Sequence, residues 1–239
     1  MKYYRIATFN VAMEVDSPRL LNSAAKYEIA KPEHIDITLS GYKEDARRNH
    51  EMVSGVSAQT WEEILSGDDF YQQLLEHGAT FLHSSAIVVE GRAYLISAGS
   101  QVGKTFHTKL WQQYLGSDKV VILNDDKPAI MKDEQGVWRA YGTPWSGASE
   151  FNMNMDAPIG AICYLERSER NWIQPEKGPR ILHDFVGQTI KPRDEERRIS
   201  LFTQFSDLIT SVDSYRMGVN MDIEAGRMAY EVMTGKIKL

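Results

Sequence analysis

Lys104, Thr105, Asp125 and Asp126 are the residues of this chain whose types and spacing could move a phosphoryl group. Gly103-Lys104-Thr105 closes a small-residue stretch, Ala98-Gly99-Ser100-Gln101-Val102-Gly103, that follows the apolar run Ala93-Tyr94-Leu95-Ile96-Ser97. In loops of the pattern G-x-x-x-x-G-K-[ST], backbone N–H groups surround the phosphates, the lysine reaches the terminal ones and the hydroxyl meets Mg²⁺. On this reading the nucleotide contacts are Gly99, Ser100, Gln101, Val102, Gly103, Lys104, Thr105 and Phe106. Ala98 stands where the first glycine would be, which a negative φ tolerates. Gln101 matters more, because a Cβ there crowds the phosphates if the backbone needs φ > 0. The plain alternative is a surface turn with a solvated lysine.

Asp125 and Asp126 follow the apolar stretch Val120-Val121-Ile122-Leu123. Carboxylates at the C-terminal end of a buried strand lie where an α/β sheet opens its ligand crevice. Phosphoryl transfer needs an acid beside Mg²⁺ and, for a hydroxyl acceptor, a second that takes its proton. Crowding two acids raises the pKa of one of them, which suits a base. A turn that uses Asn124, Asp125 and Asp126 for their tolerance of left-handed backbone is the competing explanation. His107, on the first turn after the loop, could approach a phosphate or fill the core, and His83 is expected to be structural. Gly142-Thr143-Pro144-Trp145-Ser146-Gly147 is either a tight turn or a substrate-facing loop. Cys163 lies in an apolar strand and reads as inert core. The run Arg193–Arg198 reads as a solvated helix face.

The elements that must hold these groups follow from periodicity. A strand is expected over residues 3–15 and a better one at Ile35–Leu39, with an irregular charged segment over 43–57. Ser57 to His77 has helical spacing, and Gly67 is expected to divide it into two helices. Phe81–Val89, a Glu90-Gly91 turn and Ala93–Ser97 predict a hairpin feeding the loop. The next helix presents Phe106, Leu110, Trp111, Tyr114 and Leu115 on one face and stops at Gly116. Strands are expected at 120–123, 129–132, 137–141 and 159–165, and helices at 181–187, 194–210 and 222–234. Two layers of strand and helix give an α/β or α+β core with a small N-terminal region, divided at 1–77 and 78–239.

The 239 residues are 42% hydrophobic and 25% charged, the composition of an ordinary globular chain. No apolar run approaches the ~20 residues that span a bilayer. The N-terminus Met1-Lys2-Tyr3-Tyr4-Arg5-Ile6 is too polar for a signal peptide. A net charge of -6 argues against a nucleic-acid coat. One cysteine, Cys163, forms no internal disulfide and suits a reducing compartment. The expectation is a soluble cytoplasmic protein with no nucleic-acid or membrane partner.

Taken together, Phe81-Leu82-His83-Ser84-Ser85-Ala86, the Ala98–Thr105 loop with His107 and Trp111, Asn124-Asp125-Asp126-Lys127-Pro128 and Tyr141-Gly142-Thr143-Pro144-Trp145-Ser146-Gly147 resemble the HPr kinase-like proteins. These are relatives of the catalytic domain of HPr kinase/phosphorylase and, more distantly, of ATP-dependent phosphoenolpyruvate carboxykinase. The resemblance covers roughly residues 1 to 235 and is strongest from 80 to 165. It implies a P-loop nucleotide-binding core, a mixed sheet with flanking helices, that uses ATP and Mg²⁺. By the same resemblance Lys104 contacts the β- and γ-phosphates, Thr105 and Asp126 lie at the metal, and Asp125 is the base toward the acceptor hydroxyl. The chain departs from the family pattern at Gln101, where glycine is usual, and at Phe106, where Thr or Ser is common. No acidic residue is recognisable as a further metal ligand; Glu150 is the nearest candidate.

The function expected is that of a kinase moving the γ-phosphoryl of ATP to a hydroxyl, a Ser of a peptide or protein or a small alcohol. The alternative is a catalytically degenerate protein of the same fold that binds nucleotide or peptide. A decarboxylating or pyrophosphate-using phosphotransferase ranks last, because no convergent Arg and Lys set for oxaloacetate is visible. Relatives often assemble, so a homo-oligomer is compatible with the sequence.

Overall fold

The computed structural model describes residues 1–238. The alternation at the start of the chain resolves into a hairpin of β1 (Lys2–Ile6) and β2 (Phe9–Met13). Ala7 and Thr8 turn it at φ 48° and 74°, the left-handed geometry that matches the twist of paired strands. Neither residue type announces a turn, so one strand was expected where two are found. Pro18 opens α1 (Pro18–Ala24), and the Ser17 hydroxyl accepts from the Leu20 amide. β3 (Glu28–Ile29) and β4 (Ile37–Leu39) flank the hairpin in the order β3-β1-β2-β4.

Residues 43–57, expected to be irregular, contain the helix α2 (Tyr42–Met52). It buries only Tyr42 and Ala46, too narrow an apolar stripe to register as a period, while Glu44 and Asp45 face Arg48 at 3.6 and 3.5 Å. The next helix, α3 (Ala58–Leu74), is continuous and is not divided at Gly67. A Cβ on Gly67 would lie 3.0 Å from Cδ1 of Trp145. The glycine is there to seat an aromatic ring, not to break the helix.

The remainder builds a curled mixed sheet with helices against it. In chain order it comprises β5 (Ala79–Phe81), β6 (Ser84–Val89), β7 (Arg92–Ala98), α4 (Lys104–Leu115), β8 (Val121–Asn124), β9 (Ala129–Lys132) and β10 (Trp138–Tyr141). There follow β11 (Asp156–Arg167), β12 (Trp172–Pro175), α5 (Pro179–Val186), α6 (Glu195–Ser211), β13 (Asp213–Val219) and α7 (Ile223–Met233). The strand order is β5-β9-β10-β11-β7-β6-β8, with β13 pairing β11 and β12. β11 runs parallel to both β7 and β13, whereas β6 and β7 form the expected hairpin through Glu90-Gly91. β12 and β13 were not anticipated. Ser214, Arg216 and Gly218 interrupt the apolar pattern of β13, although the strand is buried.

One apolar layer, with Ile96, Trp111, Cys163, Met217 and Tyr230, lies between the sheet and the helices α4 and α7. These helices approach so closely that a Cβ on Gly226 would be 2.7 Å from the Leu110 Cβ. The other layer runs from Tyr4, Met13 and Tyr27 of the N-terminal region through Phe70 and Trp145 to Phe185 and Phe205. On α4 the buried side chains are His107, Thr108, Leu110 and Trp111. Phe106 and Tyr114, expected on that face, are 37% and 38% exposed. Among the described residues no helix is long and apolar enough to cross a membrane.

Candidate functional site

β7 ends at Ala98, the chain turns through Gly99–Gly103, and α4 begins at Lys104. Gly103 takes φ 114°, the left-handed region in which a side chain would be strained. Gln101 takes φ 61°, the geometry that its lack of a glycine makes costly. One group from β11 holds this arc: Arg167 Nη2 donates to the Gln101 carbonyl at 2.6 Å. The first amides of α4 have no partner within their own helix, and the helix dipole adds partial positive charge at that end.

A cleft of about 250 Å³ opens there, lined by Gln101, Gly103, Lys104, Thr105, Asp125 and Asp126, with His83 and Gly147–Ser149 opposite. Gly99, Ser100 and Val102 form the arc behind it, and Phe106 points its ring to the surface of α4. The Lys104 ammonium has no ion-pair partner within 4.0 Å among the described residues. Burial lowers its pKa, partly opposed by Asp126 and Asp125.

Thr105 Oγ1 donates to Asp125 Oδ2 at 2.9 Å. The other oxygen, Oδ1, is buried without a hydrogen-bond partner. Asp126 is the opposite case. Its Oδ1 meets His83 Nε2 at 3.0 Å and its Oδ2 meets Lys127 Nζ at 3.0 Å. Burial alone would raise this carboxyl, but the His83 and Lys127 contacts override it and hold the pKa at about 2. One acid therefore keeps an oxygen free and its neighbour is pinned in the ionised form.

Asn124 explains how two adjacent acids come to face different ways. Its Oδ1 accepts from the amides of Asp126 and Lys127 at 2.9 and 2.7 Å, which winds the acidic turn around one side chain. Its Nδ2 donates to the Thr143 carbonyl at 3.0 Å and so binds the turn to the Gly142–Gly147 segment. In that segment the Trp145 ring does not line this cleft. The ring is 5% exposed, stacks on Phe70 with centroids 4.7 Å apart and donates from Nε1 to Ser66 at 3.1 Å. What reaches the cleft is the backbone beyond it, where Gly147 lies so close to Asp126 that a Cβ would be 2.9 Å from the aspartate Cβ.

His83, read from sequence as structural, lines the cleft and contacts Asp126. The signal that could have found it is its position between two strands, β5 and β6, where the chain passes from one part of the sheet to the other. His107 does the reverse. Its ring is buried beside Trp111 and its pKa is pushed down to about 4 by burial. Cys163 is fully buried, and burial raises its thiol pKa. Glu150 is turned to Arg19 at 3.2 Å and does not line the cleft.

Among the described residues no group of three metal-ligating side chains is present. The oxygens of Thr105 and Asp126, which both line the cleft, still fit a hard cation shared with phosphate, since Mg²⁺ takes one or two protein oxygens and fills its shell from phosphates and water.

No family model matches the chain, and no curated protein matches it. Among solved structures it is similar to the HPr(Ser) kinase/phosphatase from Coxiella burnetii at 10% identity and a TM-score of 0.31, over 53% of this chain and 92% of that one. That similarity is weak and distant, and the functional reading rests on the cleft itself.

Proposed function

We propose that the cleft binds a nucleoside triphosphate, ATP, and transfers its γ-phosphoryl group to a hydroxyl. The observation that carries this reading is Asp125, with its buried and unpartnered Oδ1, lining the same cleft as the unpaired Lys104 and the first turn of α4. The amides at Gly103–Thr105 receive the β- and γ-phosphates, and Lys104 neutralises their terminal charge. Thr105 and Asp126 would hold Mg²⁺, which when bound supplies charge neutralisation on the phosphates. Asp126 suits that role because His83 and Lys127 keep it ionised, and the same low pKa makes it a poor base. Asp125 takes the acceptor proton at Oδ1. Most of the rate then comes from positioning and charge placement.

The experiment is phosphate transfer from labelled ATP by Lys104→Ala and Asp125→Asn variants. Both lose transfer while keeping a native circular dichroism spectrum. Near wild-type transfer in either one overturns the mechanism. Gln101 supports a second reading, in which a nucleotide or peptide is bound without turnover, because its left-handed backbone carries a Cβ into the arc. In that case a wild type that binds nucleotide gives heat with ATP and Mg²⁺ but no transfer from labelled ATP, whereas one blocked by Gln101 gives no heat and Gln101→Gly gains binding.

A further inference from the structure

A second pocket, of about 200 Å³, lies beside the cleft and shares Gly147 and Ala148 with it. α1 and α3 close it from one side, and the Pro144–Ala148 segment closes it from the other. Lys127, whose neighbour Asp126 lines the cleft, lines this pocket.

The donors and acceptors around it are unequal. The Arg19 guanidinium uses Nε on Glu150 at 3.2 Å, Nη1 on Glu63 at 3.4 Å and Nη2 on the Gly147 carbonyl. A guanidinium has five N–H groups, so both terminal nitrogens keep one to spare. The Lys127 ammonium spends one of its donors on Asp126. The carboxylate in the wall, Glu63, is already engaged at both oxygens, by Ser17 at 2.7 Å and by Arg19. The pocket therefore offers unspent cationic donors and no unengaged carboxylate oxygen, in a chain whose net charge is -6.

We infer that this pocket is the acceptor subsite and that the acceptor is a small hydroxyl-bearing carboxylate. Its carboxylate lies between Arg19 and Lys127, and its hydroxyl extends past Gly147 to the Asp125 side. The inference rests on the proposed phosphoryl transfer. In that step the acceptor oxygen forms a bond to the γ-phosphorus and the bond from that phosphorus to the β-bridging oxygen breaks. The nucleoside diphosphate leaves with the bonding pair, and the hydroxyl proton passes to Asp125. The N-terminal region thus contributes to specificity, because Arg19 comes from α1.

The test is calorimetry on the full chain with glycerate, serine and lactate as probes, and with glycerol, which keeps the hydroxyls and lacks the carboxylate. At least one hydroxy acid binds tenfold or more tightly than glycerol, and Arg19→Met abolishes the difference. Ile64→Trp, at the 46% exposed mouth residue, blocks the acid and leaves ATP binding unchanged, which covers any misfolding of the Arg19 variant. Equal binding of glycerol, or no binding by any of the three acids while ATP still binds, overturns this inference alone. Absence of ATP binding with intact, Arg19-dependent acid binding overturns the kinase reading and leaves the carboxylate subsite standing.

Discussion

Thr105 donates its hydroxyl to one oxygen of Asp125 at 2.9 Å and leaves the other oxygen of the same carboxylate buried and unpartnered. Thr105→Val keeps the shape of the side chain and removes that donor. The aspartate is then buried with neither oxygen satisfied, a loss of about 1–3 kcal/mol. Urea denaturation reads the stability and labelled ATP reads the transfer, and both should fall. Unchanged stability would show that Asp125 does not depend on this bond.

His107 makes stability depend on pH. Burial holds its folded pKa at about 4, below the ordinary 6.5, so the unfolded chain binds the proton more readily. Its contribution is complete above pH 6.5 and is lost as the pH falls toward 4, in total about 3 kcal/mol. His107→Gln should flatten the stability profile between pH 6.5 and 4, measured by urea unfolding across that window. A variant with the wild-type slope would assign the acid sensitivity to another group.

Gly147 has φ 66° and nearly touches Asp126. Gly147→Ala adds left-handed strain of about 1–3 kcal/mol and presses on the aspartate. Transfer should fall further than ATP affinity does. Gly99→Ala is the control, since its Cβ would meet only ordinary contacts at 3.9 Å; its melting temperature should match the wild type within about 2 °C.

Arg216 has a side chain only 4% exposed, set among Glu166, Glu176 and Asp184. It also lies over the ring of Tyr164, 5.2 Å from its centroid. Arg216→Met leaves the carboxylates facing one another without their cation, a loss of roughly 3–5 kcal/mol. Adding Glu176→Gln and Asp184→Asn to that variant should recover much of the melting temperature. If it does not, packing of the arginine stem against Tyr164 is the larger contribution.

The arc from Gly99 to Gly103, between β7 and α4, was legible because everything that defines it is local: an apolar strand, small residues, Gly103-Lys104-Thr105 and a helical period. The carboxylate pair was legible for the same reason. His83 was not, because its partner Asp126 comes from a distant part of the chain and is brought to it only by sheet curling. For Trp145 the sequence left a tight turn and a substrate-facing loop equally open, because the pocket that seats the ring is made by Gly67, Ser66 and Phe70 of the distant α3. The helix α2 was hidden by charge, and β13 by the polar residues that its buried ion cluster requires. Local signals marked the reactive groups; the contacts that orient them are long-range.

The seat of Trp145 on α3 bears on how the protein can be dissected. A truncated chain starting after α3 would retain the loop, both acids and the whole curled sheet, yet would expose the indole and release Gly147 from Arg19. Shortened expression products of that kind should aggregate through the bared aromatic surface, so studies of the isolated curled sheet require the first seventy-odd residues to be supplied in some form, covalently or as a separate complementing fragment.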